Sequence, residues 1–194
     1  MMQRNKKRIV GITGGSGCGK SYISDKLRKR GIPVIDADLV AREVMQKGEE
    51  CLEETVRFFG TEILDKNGEL DRHRLGQIVF SDQEKLKKLN EISHKYILRR
   101  IFNKMRAEKS DIVCVDGAVL IESGIKCDLM LGICADREIR IDRIMCRDGI
   151  SRFDAEKRID AQPKTEFYEK NCDFVIYNND KNIDIDGIYK RIAE

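Results

Sequence analysis

Several classes of protein are excluded by what this chain does not contain. Among its 194 residues no apolar run approaches the length of a membrane span. Its seven cysteines are an odd number, and no two of them form a C-x-x-C pair. Several stand inside apolar runs, as in Ile112-Val113-Cys114-Val115. That pattern points to buried free thiols in a reducing compartment, and away from a disulfide framework or a zinc site. Only two histidines occur, His73 and His94, and neither has a metal-binding partner nearby in the sequence. Charge of one sign is scarce too. A formal net charge of +3 excludes an extended nucleic-acid face, although local basic clusters still suit a small anion. The opening M-M-Q-R-N-K-K-R is basic, but the apolar stretch behind it is far too short for a signal peptide. There is no internal repeat and no low-complexity segment. The expectation is a cytoplasmic protein with no membrane and no nucleic-acid partner, a monomer or weak homo-oligomer.

The composition that remains, 41% hydrophobic and 37% charged, is that of an ordinary globular protein, and the length suggests one domain with an insertion. Short apolar, β-branched runs alternate with amphipathic segments. Strands are expected at 8–13, 32–36, 112–116, 128–134 and 173–177, each apolar on both faces as in a covered parallel sheet. Helical patterns cover 20–30, 39–47 and 85–106, the last with a stripe of Leu86, Leu89, Ile92, Tyr96, Ile97, Ile101 and Met105. The expected fold class is α/β, a five-stranded parallel sheet between helices. The core takes residues 8–47, 110–136 and 171–194. A helical insertion spans about 48–109, and a charged helical segment, about 137–170, turns at Asp148-Gly149. Neither added piece has the apolar density of a core layer, so both are expected over one edge of the sheet.

Residues 14–21 read G-G-S-G-C-G-K-S and fit G-x-x-x-x-G-K-[ST]. They directly follow the first strand and directly precede a helix, the context that gives the motif meaning. Glycines let successive backbone N–H groups curl inward around a phosphate, and the helix dipole favours the same anion. Gly14, Gly15, Ser16, Gly17, Cys18, Gly19, Lys20, Ser21 and Tyr22 are therefore candidate nucleotide contacts. Lys20 reaches the β- and γ-phosphates, and Ser21 is placed to ligate Mg²⁺. Cys18, at a helix N-terminus, is a candidate for a lowered thiol pKa; the alternative is a small residue with no redox role.

The second strand ends in Asp36-Ala37-Asp38. Ligands of open α/β sheets lie beyond the carboxyl ends of the strands, so both carboxylates are expected to face the glycine loop's crevice. One can orient and deprotonate an acceptor hydroxyl, and the other can support Mg²⁺; the alternative for each is capping a helix that starts at Leu39. Arg42, one turn on, is placed for an acceptor phosphate or for a solvated salt bridge. Asp116 ends the third strand like the acidic residue of a Walker-B strand near Mg²⁺. Arg137, Arg140, Arg143, Arg147 and Arg152 crowd the charged segment. Arg140, Arg143 and Arg147 share one helix face, which can close over a triphosphate or simply meet water.

Five phrases occur in one order: G-I-T-G-G-S-G-C-G-K-S, V-I-D-A-D-L-V-A-R-E-V, F-G-T-E-I-L-D-K-N-G-E-L-D-R-H-R-L, V-F-S-D and L-N-E-I-S-H. Together they resemble dephospho-coenzyme A kinases, from about Ile9 to about Asn178. The resemblance implies a P-loop kinase core with a helical acceptor-binding insertion and a lid. It implies ATP and Mg²⁺ as cofactors, and dephospho-coenzyme A as small-molecule partner, phosphorylated on its ribose 3′-hydroxyl. It implies Asp38 as base supported by Asp36, and Arg42, Arg72 and His94 lining the acceptor site. Arg143 and Arg147 stand at the lid arginines, Gln162 at the glutamine after the lid, and Asn178 beside the adenine. The chain departs from the family pattern at Ser16, Cys18 and Tyr22, at Lys95 after His94, and between Asp116 and Glu122. A nucleoside or nucleotide kinase, or a non-catalytic nucleotide switch, are the alternatives. A GTPase switch is disfavoured, because the nearest string to N-K-x-D is Asn178-Asn179-Asp180-Lys181, in the wrong order.

Overall fold

A computed structural model of the chain describes residues 7–118, 120–121, 123–180 and 183–194. It divides into two compact units, one formed by residues up to Asp36 with Glu108–Glu194, the other by Ala37–Ala107.

The first unit is built on five parallel strands: β1 (Arg8–Thr13), β2 (Val34–Asp36), β3 (Ile112–Asp116), β4 (Leu129–Cys134) and β5 (Phe174–Tyr177). Their order in space is β2-β3-β1-β4-β5, which puts β1 at the centre. Strands β1 and β3 have the expected bounds. β2 starts two residues late because the Ile32 N–H donates to Leu27 O of the preceding helix and Pro33 has no N–H. β4 and β5 each start one residue late, behind an aspartate that replaces a ladder bond. Asp128 accepts from Ile9 N at 2.9 Å and Asp173 from Met130 N at 2.6 Å.

One face of the sheet holds Val10, Ile12, Cys114, Leu131 and Ile133. They pack with Ile23 and Leu27 of α1 (Lys20–Lys29) and with Ile185, Ile188 and Ile192 of the C-terminal helix Ile185–Ala193. The alternate positions Val113 and Val115 are also fully buried, so the strands are apolar on both faces for a physical reason. Each such buried side chain contributes about 1.5–3 kcal/mol.

The second unit is helical: α2 (Ala37–Glu43), α3 (Glu50–Phe59), a 3-10 turn at Thr61–Ile63, α4 (Arg72–Phe80) and the 25-residue α5 (Gln83–Ala107). Helices α2, α3 and α4 each pack on α5. A row of ion pairs reinforces this contact: Glu54–Lys95 at 2.6 Å, Glu50–Arg99 at 2.8 Å, Glu49–Arg100 at 2.5 Å and Glu43–Lys104 at 2.8 Å. Helix α2 begins at Ala37, immediately after β2, two residues earlier than the sequence pattern suggests. Asp38 therefore sits inside its first turn and is not its N-cap.

The charged segment belongs to the first unit. It forms α6 (Arg137–Asp148), α7 (Arg152–Asp160) and α8 (Thr165–Asn171), followed after β5 by the C-terminal helix, α9. Gly149, left-handed at φ 65°, ends α6, and Ser151 caps α7 by accepting from Asp154 N at 3.1 Å. This segment is expected to lack the apolar density of a core layer and to lie over a sheet edge; its place differs, and it is not wholly without apolar packing. Ile141, Ile144, Ala155 and Ile159 form a small buried cluster of their own, and α6 rests on the glycine loop beyond central β1.

Candidate active site

The glycine loop leaves β1 at Thr13 and enters α1 at Lys20. Helix α1 starts without a side-chain cap and with no acidic residue in its first turn. A helix usually fills that place with Ser, Thr, Asp or Asn, so here the orphan N–H groups and the positive dipole end are left to an anion. Two glycines are dictated by close approach as well as by backbone angle. Gly17, at φ 76°, has space for a Cβ only at 2.6 Å from Arg140 O, and at Gly19, at φ 91°, a Cβ would fall on the Asn178 amide nitrogen. Lys20 Nζ lies 2.7 Å from Gly14 O, which holds the ammonium over the loop.

The loop is held by Asn178, just past β5, and by Arg140 of α6 and Gln162 beyond α7. Asn178, 4% exposed, donates from Nδ2 to Cys18 O at 2.8 Å, and its own N–H donates to Cys134 O. Arg140, also buried, donates from Nε to Ser16 O at 2.9 Å and from a terminal nitrogen to Gln162 Oε1 at 2.8 Å. Gln162 accepts from Ser16 N at 2.9 Å and donates to Ser16 Oγ at 2.8 Å. Arg143 donates to Gly17 O at 3.3 Å.

Asp36 and Asp116 are register partners on adjacent strands at the carboxyl end of the sheet, where β1 also delivers the loop. Asp116 accepts from the buried Ser24 hydroxyl of α1 at 2.7 Å, which ties β3 to the helix that the loop feeds. Ser21 and Tyr22 are exposed in the first turn of α1, with Lys26 Nζ 5.2 Å from the Tyr22 ring centroid.

Other expected residues are placed differently. Arg147 is not on the loop. It makes a two-pronged pair with Asp148, at 2.7 and 2.9 Å, and Arg158 joins the same carboxylate. These guanidiniums, Arg147 first, hold the Asp148 carboxyl down to about 2. Of the two readings of Cys18, the lowered thiol pKa fails and the small residue without a redox role remains. Burial outweighs the nearby Lys20 charge and pushes this thiol up. Asp38, Arg42, Arg72 and His94 all belong to the second unit and all are exposed. Asp38 and Arg42 lie at the two ends of α2, Arg72 opens α4 behind its Asp71 cap, and His94 lies midway along α5. Of the Asp116–Glu122 segment, Val119 and Glu122 lie outside the described residues.

Two site residues escaped the motif. Arg140 counted only as one member of an arginine face, yet its neighbours Ile141 and Ile144 mark that part of α6 as buried, a sign of an inward arginine. Ser24 stands between Lys20 and Leu27 on the inward stripe of α1, where a small hydroxyl needs a partner.

A family model described as dephospho-CoA kinase matches residues 8–184, which takes in the glycine loop, the helical second unit and most of the first. The chain is 39% identical over 187 residues to the dephospho-CoA kinase of Fusobacterium nucleatum, covering 95% of this chain and 94% of that one. Among solved structures it is similar to a Thermus thermophilus protein with a TM-score of 0.85 and 32% identity, covering 96% of each chain. A dephospho-CoA kinase from Campylobacter jejuni superposes with a TM-score of 0.67 at 28% identity, again covering 96% of each chain. With the β1–loop–α1 geometry above, this extent of likeness leads to one assignment: the chain belongs to the dephospho-CoA kinase family.

Proposed function

We propose that the protein transfers the γ-phosphoryl group of ATP to the ribose 3′-hydroxyl of dephospho-coenzyme A, giving coenzyme A and ADP. The observation that carries this is the uncapped start of α1 behind the glycine loop, a ready anion site, within a chain matched to the family over residues 8–184.

Phosphoryl transfer asks a protein for positioning and for charge stabilisation. The backbone N–H groups at the start of α1 hold the phosphate chain, and the Lys20 ammonium meets its β- and γ-oxygens. Arg143, already on the loop through Gly17 O, offers its guanidinium to the transferring group. Arg147 would reach it only by leaving Asp148. Asp38 serves as the base that orients and deprotonates the acceptor hydroxyl, an assignment supported by its place two residues beyond Asp36 at the end of β2. Arg42, Arg72 and His94 are the proposed acceptor contacts. Magnesium suits the donor set Ser21, Asp36 and Asp116, which is all oxygen. Among the described residues no three His, Cys, Asp or Glu side chains gather into a cage, so these residues would share the ion with the nucleotide. Held there by Ser21, Asp36 and Asp116, the ion would supply positive charge against the phosphate oxygens during transfer.

The test is ADP release from Mg-ATP with dephospho-coenzyme A, adenosine, uridine, AMP or CMP as acceptor, with product masses measured. A product one phosphoryl group heavier only with dephospho-coenzyme A is expected. Turnover only with a nucleoside or nucleotide would overturn the substrate and keep the chemistry. Asp38→Asn should lower transfer about 10²- to 10⁴-fold and leave ATP affinity within about twofold.

A further inference from the structure

All three polar groups of Ser16 are taken by lid side chains. Its N–H goes to Gln162 Oε1, its carbonyl accepts from Arg140 Nε, and its hydroxyl accepts from Gln162 Nε2. Arg140 and Gln162 are themselves joined at 2.8 Å, so the three residues close a ring. The two lid residues come from different elements. Arg140 projects from α6, and Gln162 lies two residues past the end of α7, where its N–H donates to Ile159 O at 3.1 Å. The apolar cluster of Ile141, Ile144, Ala155 and Ile159 locks α6 to α7 and so fixes the spacing of the two side chains. A glycine-rich loop is entropically costly to order, and this ring orders it at the one residue between Gly15 and Gly17 that has a side chain.

We propose that Gln162 is a positioning residue for the nucleotide: through Ser16 it sets the curl of the phosphate loop, so that ATP affinity depends on a lid side chain working through the loop. The Ser16 N–H is already committed to Gln162, which leaves the anion to the N–H groups that follow it. The Ser16 hydroxyl is the specific handle, because it turns a single contact into a two-point clamp. Arg140 makes the clamp cooperative by binding the same Gln162 oxygen and the Ser16 carbonyl. The inference rests on the loop being a nucleotide site, and does not depend on which acceptor is phosphorylated.

The experiment measures the Kd of Mg-ATP by calorimetry without acceptor, together with KM and kcat, for the full chain and for Ser16→Ala, Gln162→Leu and the double variant. Losing one hydrogen bond should raise Kd and the KM for ATP about threefold in Ser16→Ala, and losing the clamp about tenfold in Gln162→Leu. The double variant should match Gln162→Leu, since the hydroxyl acts through Gln162. The KM for the acceptor should stay within about twofold, and kcat should fall by less than KM rises. A folded Gln162→Leu with unchanged Kd would overturn the proposal. So would additive losses in the double variant, or a loss confined to kcat and melting temperature. Should Gln162→Leu fail to fold, an unchanged Kd in Ser16→Ala overturns it alone. ATP binding by the parent without transfer to dephospho-coenzyme A would sink the functional assignment and leave the clamp standing; no ATP binding would sink both.

Discussion

Gly19 and Asn178 show how little freedom the loop has. The asparagine amide occupies the space that any side chain at residue 19 would need, and it spends its hydrogen on Cys18 O. Gly19→Ala should therefore weaken ATP binding by at least about 100-fold in a calorimetric titration, because strain at φ 91° and the displaced amide act together. Cys18 makes a second case at this scale. Its thiol is buried and its pKa is raised, whereas Cys146 on α6 is exposed. Iodoacetamide at neutral pH should label Cys146 first and spare Cys18, as read by peptide mass spectrometry. Prompt labelling of Cys18 would mean that the loop opens far more often than its packing suggests. The glycine spacing announced this loop in the sequence without help. What holds it in place was not legible, because Arg140, Gln162 and Asn178 are brought to it only by the fold.

Helices α6 and α7 carry a small apolar cluster of their own, so the pair should respond as an element. Ile144→Ala removes a fully buried side chain from that cluster and should cost about 2–5 kcal/mol locally. Amide exchange should then quicken across 137–160 while the strands stay protected. Asp148 adds a pH dependence. Arg147 and Arg158 depress its folded pKa to about 2, below the usual value near 3.9. Its contribution is therefore complete above about pH 4 and is lost as pH falls through about 2. Methyl resonances of Ile141 and Ile144 should shift over that window and stay flat in Asp148→Asn. Elements were the most legible scale in the sequence. β1 and β3 have the expected bounds, since apolar runs closed by charged or turn residues leave little choice. The starts of β2, β4 and β5 were missed, because Pro33, Asp128 and Asp173 divert ladder bonds in ways that only partner strands reveal. The cluster between α6 and α7 went unseen because its four buried apolar residues are spread over two helices dense in charge.

At the scale of the molecule, nucleotide binding should show as stability. ATP at about 100 times its Kd contributes roughly 2.7 kcal/mol, or a rise of about 5–10 °C in the unfolding midpoint for a chain of this length. Lys20→Ala should reduce that rise to under about 2 °C in the same thermal scan. Among the described residues no helix is long and apolar enough to cross a membrane. The parallel sheet also sets an order in time. Cys18 and Asn178 are 160 residues apart, and Ser16 and Gln162 are 146 apart. A growing polypeptide thus makes its glycine turn well over a hundred residues before the last of its supports. Until the strand carrying Phe174–Tyr177 has emerged and docked, the nascent chain holds the glycine motif without the Asn178 amide that supports it.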